Sequence, residues 1–111
     1  MSTSEQETPP AGEITDAVEL NSVLSKDQSG PLTGSVCIYA GPNFTHPEGC
    51  FVPVPGQCYM GDPPIQSAQN NTTGTVHFYA NECLQRPYFD LKPGESSHQF
   101  QFPCRAIRLD P

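Results

Sequence analysis

Two stretches of this chain repeat one another. Val36-Cys-Ile-Tyr-Ala40 aligns with Val76-His-Phe-Tyr-Ala80 at an offset of 40 residues. Cys50-Phe51 aligns with Tyr88-Phe89, and Pro55-Gly-Gln57 with Pro93-Gly-Glu95, both at 38; Gln66-Ser-Ala-Gln69 matches Arg105-Ala-Ile-Arg108 loosely, at 39. Each copy reads as a strand ending in Tyr, a loop, an aromatic strand, a Pro-Gly turn and a closing strand. A unit this small cannot bury one apolar face alone, so the two copies are expected to pack face to face.

Composition divides the chain in the same way. All ten aromatics, from Tyr39 to Phe102, and all five cysteines, from Cys37 to Cys104, follow residue 36. Residues 1–34 hold six acids (Glu5, Glu7, Glu13, Asp16, Glu19 and Asp27) against one base, Lys26, and so carry −5 of the net −7. A segment without aromatics and with that charge buries too little apolar surface to offset its ordering entropy. Residues 1–34 are therefore expected to form a flexible acidic tail. Within it, Ile14, Val18, Val23 and Leu24, with Thr15 as a candidate N-cap, offer one exception: a short helix formed on contact with a partner. A third functional reading takes 1–34 as a processed leader or partner-docking segment. The start, MSTSEQETPP, shows no basic region followed by an apolar run, hence no visible signal peptide.

Residues 35–111 are expected to be all-β. Candidate strands are Ser35–Tyr39, Cys50–Val54, Thr75–Tyr79, Tyr88–Leu91 and Arg105–Leu109, with Ile65–Ala68 weaker, and Gly, Pro and Asn lie between them. Pro53 and Pro55 flank Val54, which excludes a central, fully paired strand there. Two four-stranded units suggest two Greek-key motifs forming a small sandwich, one over 35–70 and one over 75–110. No apolar stretch approaches the ~18 residues of a spanning helix. An acidic chain with five Lys and Arg is a poor partner for nucleic acid.

At this point the sequence resembles a known family. Val36-Cys-Ile-Tyr-Ala-Gly-Pro-Asn-Phe44 is similar to the first signature of the βγ-crystallin superfamily: apolar, any residue, apolar, Tyr, four residues, Phe, any residue, Gly. His46 stands where the Gly of the folded hairpin falls. The second copy keeps Tyr79 but has Leu84 for the Phe and Arg86 for the Gly. The hairpins are then expected to fold over through His46-Pro47 and Arg86-Pro87. Ser67 stands at the family's Ser near the end of a key; Ala106 replaces it in the second. Within the superfamily the chain most resembles the bacterial crystallin-type inhibitors of metalloproteinases, in size, in having two keys, in its cysteines and in the junction Ile65–Gly74 before Val76-His-Phe-Tyr79.

Five cysteines without a C-x-x-C pair point to disulfides in an oxidising, extracellular setting. Many pairings are open. The preferred set is Cys83–Cys104 with Cys50–Cys58, leaving Cys37 free or replacing one partner. His46, His77 and His98 stand at no zinc spacing from a cysteine pair. A free thiol beside one of them has little concavity in which to become a nucleophile, so no enzymatic activity is expected.

Inhibition requires a rigid exposed segment that fits a protease cleft with little loss of entropy. The resemblance implies a disulfide-held loop, and Cys83-Leu84-Gln85 comes first, Cys50-Phe51-Val52 second. Each places an apolar residue after a cysteine, as suits a thermolysin-type protease. The expectation is a secreted, monomeric protease inhibitor whose partner is its target protease, without a cofactor. The alternative is a structural or calcium-binding module. In the superfamily, calcium sites cluster oxygens over two Asn/Asp, two variable residues and Ser/Thr-Ser; here Asp62 and Ser67 remain of the first such stretch, and Ser96 and Ser97 of the second.

Overall fold

The computed structural model describes residues 17–25 and 33–111. Among the described residues nine strands form two sheets: β1 (Ala17–Glu19), β2 (Val36–Tyr39), β3 (Pro47–Phe51), β4 (Cys58–Ile65), β5 (Ser67–Asn70), β6 (Val76–Tyr79), β7 (Tyr88–Leu91), β8 (Ser96–Ser97) and β9 (Cys104–Leu109). One 3-10 turn, Leu20–Ser22, follows β1. The larger sheet has the order β1-β4-β9-β6-β7 and the smaller the order β3-β2-β5-β8. The fold is all-β, in two layers.

The repeat is visible in the pairing. β2 lies between β3 and β5, and β6 lies between β7 and β9, all antiparallel. The third strand of each copy leaves its own sheet. β4 pairs with β9 of the second copy, and β8 pairs with β5 of the first. Each layer is thus completed by a strand from the other half.

Alternation along the strands separates inside from outside. Val36, Ile38, Phe51, Tyr59, Val76, Phe78, Ile107 and Leu109 face one shared core. Phe78 stacks on Phe89 at 5.5 Å, and Phe100 meets Phe89 edge-on at 4.4 Å, which fills the space between the layers with aromatic contacts.

Three expectations change. Residues 17–25 are not tail but part of the fold. β1 runs parallel to Cys58–Met60, Leu20 is buried, and Ser25 bridges Cys50 at the edge of the smaller sheet. Val18, Val23 and Leu24 pack on the core from this segment, as a strand and a turn rather than a helix. A short apolar run gains from core contact what the acidic surroundings deny it. Thr33 and Gly34 lead into β2, the Gly34 N–H donating to the Asn71 carbonyl; residues 1–16 and 26–32 of the expected tail lie outside the described residues.

The strand expected over Cys50–Val54 lies earlier, at Pro47–Phe51, because Val52–Pro55 cannot hold a ladder around its two prolines. The third change concerns the cysteines. The disulfides are Cys37–Cys50 and Cys58–Cys83, with Cα separations of 4.0 and 6.1 Å, and Cys104 is the free thiol. Cys83–Cys104 does not form, since Cys104 faces the shared core while Cys83 packs with Cys58, Tyr79 and Ala106 on the outer face of the larger sheet. Cys50–Cys58 does not form either: the two stand in different sheets, and Cys50 is paired directly with Cys37 across β2–β3.

Candidate functional site

The outer face of the larger sheet collects chemistry that the strands, read singly, keep apart. Register sets Asp90, His77, Arg108 and Cys58 in one row across β7-β6-β9-β4, and Tyr88, Tyr79, Ala106 and Met60 in the next. The β6–β7 hairpin carries Cys83 to Cys58, so the disulfide ties it to the sheet. Cys83 Sγ also lies 3.7 Å from the Ile107 carbonyl.

Within this hairpin Leu84 takes φ 69°, and the Arg86–Pro87 peptide is cis. The Ala80 N–H donates to the Pro87 carbonyl, and the Gln85 N–H to the Glu82 carbonyl. The Gln85 amide also reaches the Glu82 carboxylate at 3.1 Å. A bridge, a turn and a strand pair therefore fix the backbone on both sides of Leu84, a residue 46% exposed.

His77 is clamped between two carboxylates. Nδ1 meets Asp90 and Nε2 meets Asp110, each at 2.5 Å. The clamp orients the ring and occupies both carboxylates. Burial raises the Tyr79 hydroxyl above its ordinary pKa, against the opposing pull of the neighbouring Arg108. Sequence reasoning weighed His77 as the repeat partner of Cys37 and as a zinc ligand or thiol partner, not as the centre of a carboxylate clamp. The signal available was the period of two: His77 and Tyr79 alternate with Val76 and Phe78, and Arg108 and Asp110 with Ile107 and Leu109. Register, which brings the two sets together, is not written in either strand.

The second expected loop presents a different residue from the one anticipated. Phe51 is 4% exposed and packs edge-on against Tyr59 at 4.8 Å, so it belongs to the core. Val52, at 63% exposed, is outside, and Cys50 is buried in its disulfide with Cys37.

The calcium candidates are engaged within the fold. Asp62 pairs with Arg105. The Ser67 hydroxyl donates to the Gly41 carbonyl at 2.7 Å and accepts from the Phe44 N–H at 3.1 Å. Ser96 and Ser97 pair with Gln69 and Ala68 as the edge strand β8, and the Ser97 hydroxyl reaches the Gln99 carbonyl. Among the described residues no three His, Cys, Asp or Glu side chains gather as metal ligands, and no helix is long and apolar enough to cross a membrane.

Compared with family models, curated proteins and solved structures, the chain finds no match.

Proposed function

We propose that this protein is a βγ-crystallin-like inhibitor of proteases, most suited to metalloproteases, and that the hairpin Cys83-Leu84-Gln85 enters the target's cleft. One observation carries the reading: Leu84 stands half-exposed on a backbone locked to the sheet by Cys58–Cys83. A bulky apolar side chain held in one conformation loses little entropy when a protease pocket takes it up. A thermolysin-type enzyme, which accepts apolar residues on the leaving-group side, suits Leu84.

Several features support the family reading. The exchange of third strands between two repeated halves is what two interlocked Greek keys require. Tyr39 packs edge-on against Phe44 at 5.4 Å across the first hairpin. Ser67 fastens that hairpin to β5 through Gly41 and Phe44. His46, at the position of the signature glycine, takes φ 55°. In the second half Ala106 lacks the hydroxyl, and the Cys58–Cys83 bridge fastens the hairpin instead. Two disulfides suit an oxidising, extracellular compartment.

The test is an inhibition panel with the full chain over thermolysin-like, subtilisin-like and papain-like enzymes. The expected result is inhibition of the thermolysin-like enzyme at micromolar protein or below. Leu84→Asp should weaken it by at least about 100-fold, the effect of about 2.7 kcal/mol lost at a central contact, with an unchanged Tm. Absence of inhibition at micromolar protein overturns the reading.

A further inference from the structure

The same face holds a cation for which the fold supplies no anion. Arg108 is 5% exposed; its guanidinium hydrogen-bonds the Tyr79 hydroxyl, and its Nε is buried with no hydrogen-bond partner. Among the described residues the ion pairs join His77 to Asp90 and Asp110, and Arg105 to Asp62; none involves Arg108. Desolvating a guanidinium without an anion costs several kcal/mol. A fold that keeps such a group on one face gains when an anion reaches it.

Space for that anion is present. Arg108, His77, Tyr79, Leu84 and Tyr88 line a depression of about 260 Å³. Arg108 and Tyr79 are nearly fully buried and form its floor, while Leu84 and Tyr88 are close to half exposed and form its lip. The Tyr79 and Tyr88 rings lie 5.6 Å apart and tilted, giving an aromatic wall. One cation faces the space, and Asp90 lies beyond His77 in the same row. A second negative charge on the ligand would meet repulsion there.

We propose that this depression binds a monocarboxylate bearing an aromatic or branched apolar group. The carboxylate accepts hydrogen bonds from the Arg108 guanidinium, and the apolar group lies between Tyr88 and Leu84. A planar guanidinium suits a carboxylate, and the low surrounding polarity strengthens the contact. The site shares Leu84 with the proposed inhibitory hairpin, but carboxylate binding is read without any protease, so the two readings fail separately.

The experiment titrates the full chain with phenylacetate, its neutral analogue phenylacetamide, N-acetyl-leucine and inorganic phosphate, following Tm and the amide and Arg side-chain resonances by NMR. Phenylacetate is expected to raise Tm and shift the Arg108 Nε–H and the Leu84 and Tyr88 amides saturably, while phenylacetamide and phosphate do neither. Stronger binding of N-acetyl-leucine than of phenylacetate identifies a peptide C-terminus as the source of the carboxylate; the reverse identifies a free aromatic acid. Arg108→Met puts an apolar chain in place of a buried charge that has no anion; the ligand-free protein should still unfold cooperatively, and the response should be lost. Tyr88→Ala, at the lip, keeps the fold and weakens binding about tenfold. Equal binding of phenylacetate and phenylacetamide, a response to phosphate alone, full binding by Tyr88→Ala, or no saturable binding by either acid overturns the proposal.

Discussion

Asn70 shows how much one polar side chain settles in a small β protein. It is fully buried. Its Nδ2 donates to the carbonyls of Gly74, Leu91 and Lys92 at 2.9, 2.9 and 3.1 Å, and its Oδ1 accepts from the Thr72 N–H and hydroxyl. The junction between the halves is thereby tied to the end of β7. Asn70→Ala leaves those groups unanswered and should cost about 2–4 kcal/mol in urea unfolding. Asn70→Asp, which turns an acceptor toward three carbonyls, should cost more. Cys104 makes a second prediction. Burial pushes its thiol up to about 12, so the folded state holds its proton where the unfolded chain, near 8.5, releases it. The unfolded state then binds fewer protons, and stability falls as pH rises from about 9 toward 12, by up to about 1.4 kcal/mol per pH unit. Urea midpoints across that range should show a shallower decline in Cys104→Ala, with the part due to Tyr79 remaining. Native protein at pH 8 should resist thiol labelling that the unfolded chain accepts at once.

At the scale of elements, the segment 17–25 is a strap that closes one side of the sandwich. It pairs with β4 of the larger sheet and reaches Cys50 of the smaller. Each contact is permitted by a glycine. A Cβ on Gly61 would stand 2.9 Å from the Leu20 Cβ, and one on Gly49, at φ 129°, 2.9 Å from the Ser25 carbonyl oxygen. Leu20→Ala should lower stability by about 2–5 kcal/mol. Gly61→Ala should instead free the strap, read as faster hydrogen exchange at Val18–Leu20 before the remaining strands are affected. Few signs of these elements are legible in the sequence. No strand expected from the sequence covers Cys58-Tyr-Met-Gly-Asp-Pro-Pro-Ile65, yet this run is the longest strand among the described residues, because β1 and β9 flank it and the Gly61–Pro64 excess bulges opposite Arg105. The strands of clear β-branched and aromatic character, Val36–Tyr39, Val76–Tyr79 and Tyr88–Leu91, were legible within a residue of their bounds.

For the whole molecule, the exchange of β4 and β8 makes the halves interdependent. Residues 1–74 and 75–111 expressed separately should each lack a cooperative thermal transition, and together should regain one, since neither half alone completes a sheet or covers the aromatic core. A cooperative transition in either fragment alone would contradict this. Across the candidate site the division is similar. Leu84 was legible as an apolar residue beside a cysteine, but its partner cysteine was not, because facing depends on which side of a paired strand each residue takes. For Arg108 the period of two marked only the face, not the burial, for a cation near the end of a strand is ordinarily solvated.

The sequence by itself determined that there are two similar β units, that their apolar and aromatic residues serve one core, and that the cysteines belong to that region. Local preference and periodicity carry this much, since they act within a strand. Tertiary structure alone decided which cysteines meet, that residues 17–25 close the sandwich, and that His77, Tyr79, Leu84, Tyr88 and Arg108 share one face. Those outcomes depend on register and on contacts between distant segments, and a shift of one residue in register would send each side chain to the opposite face.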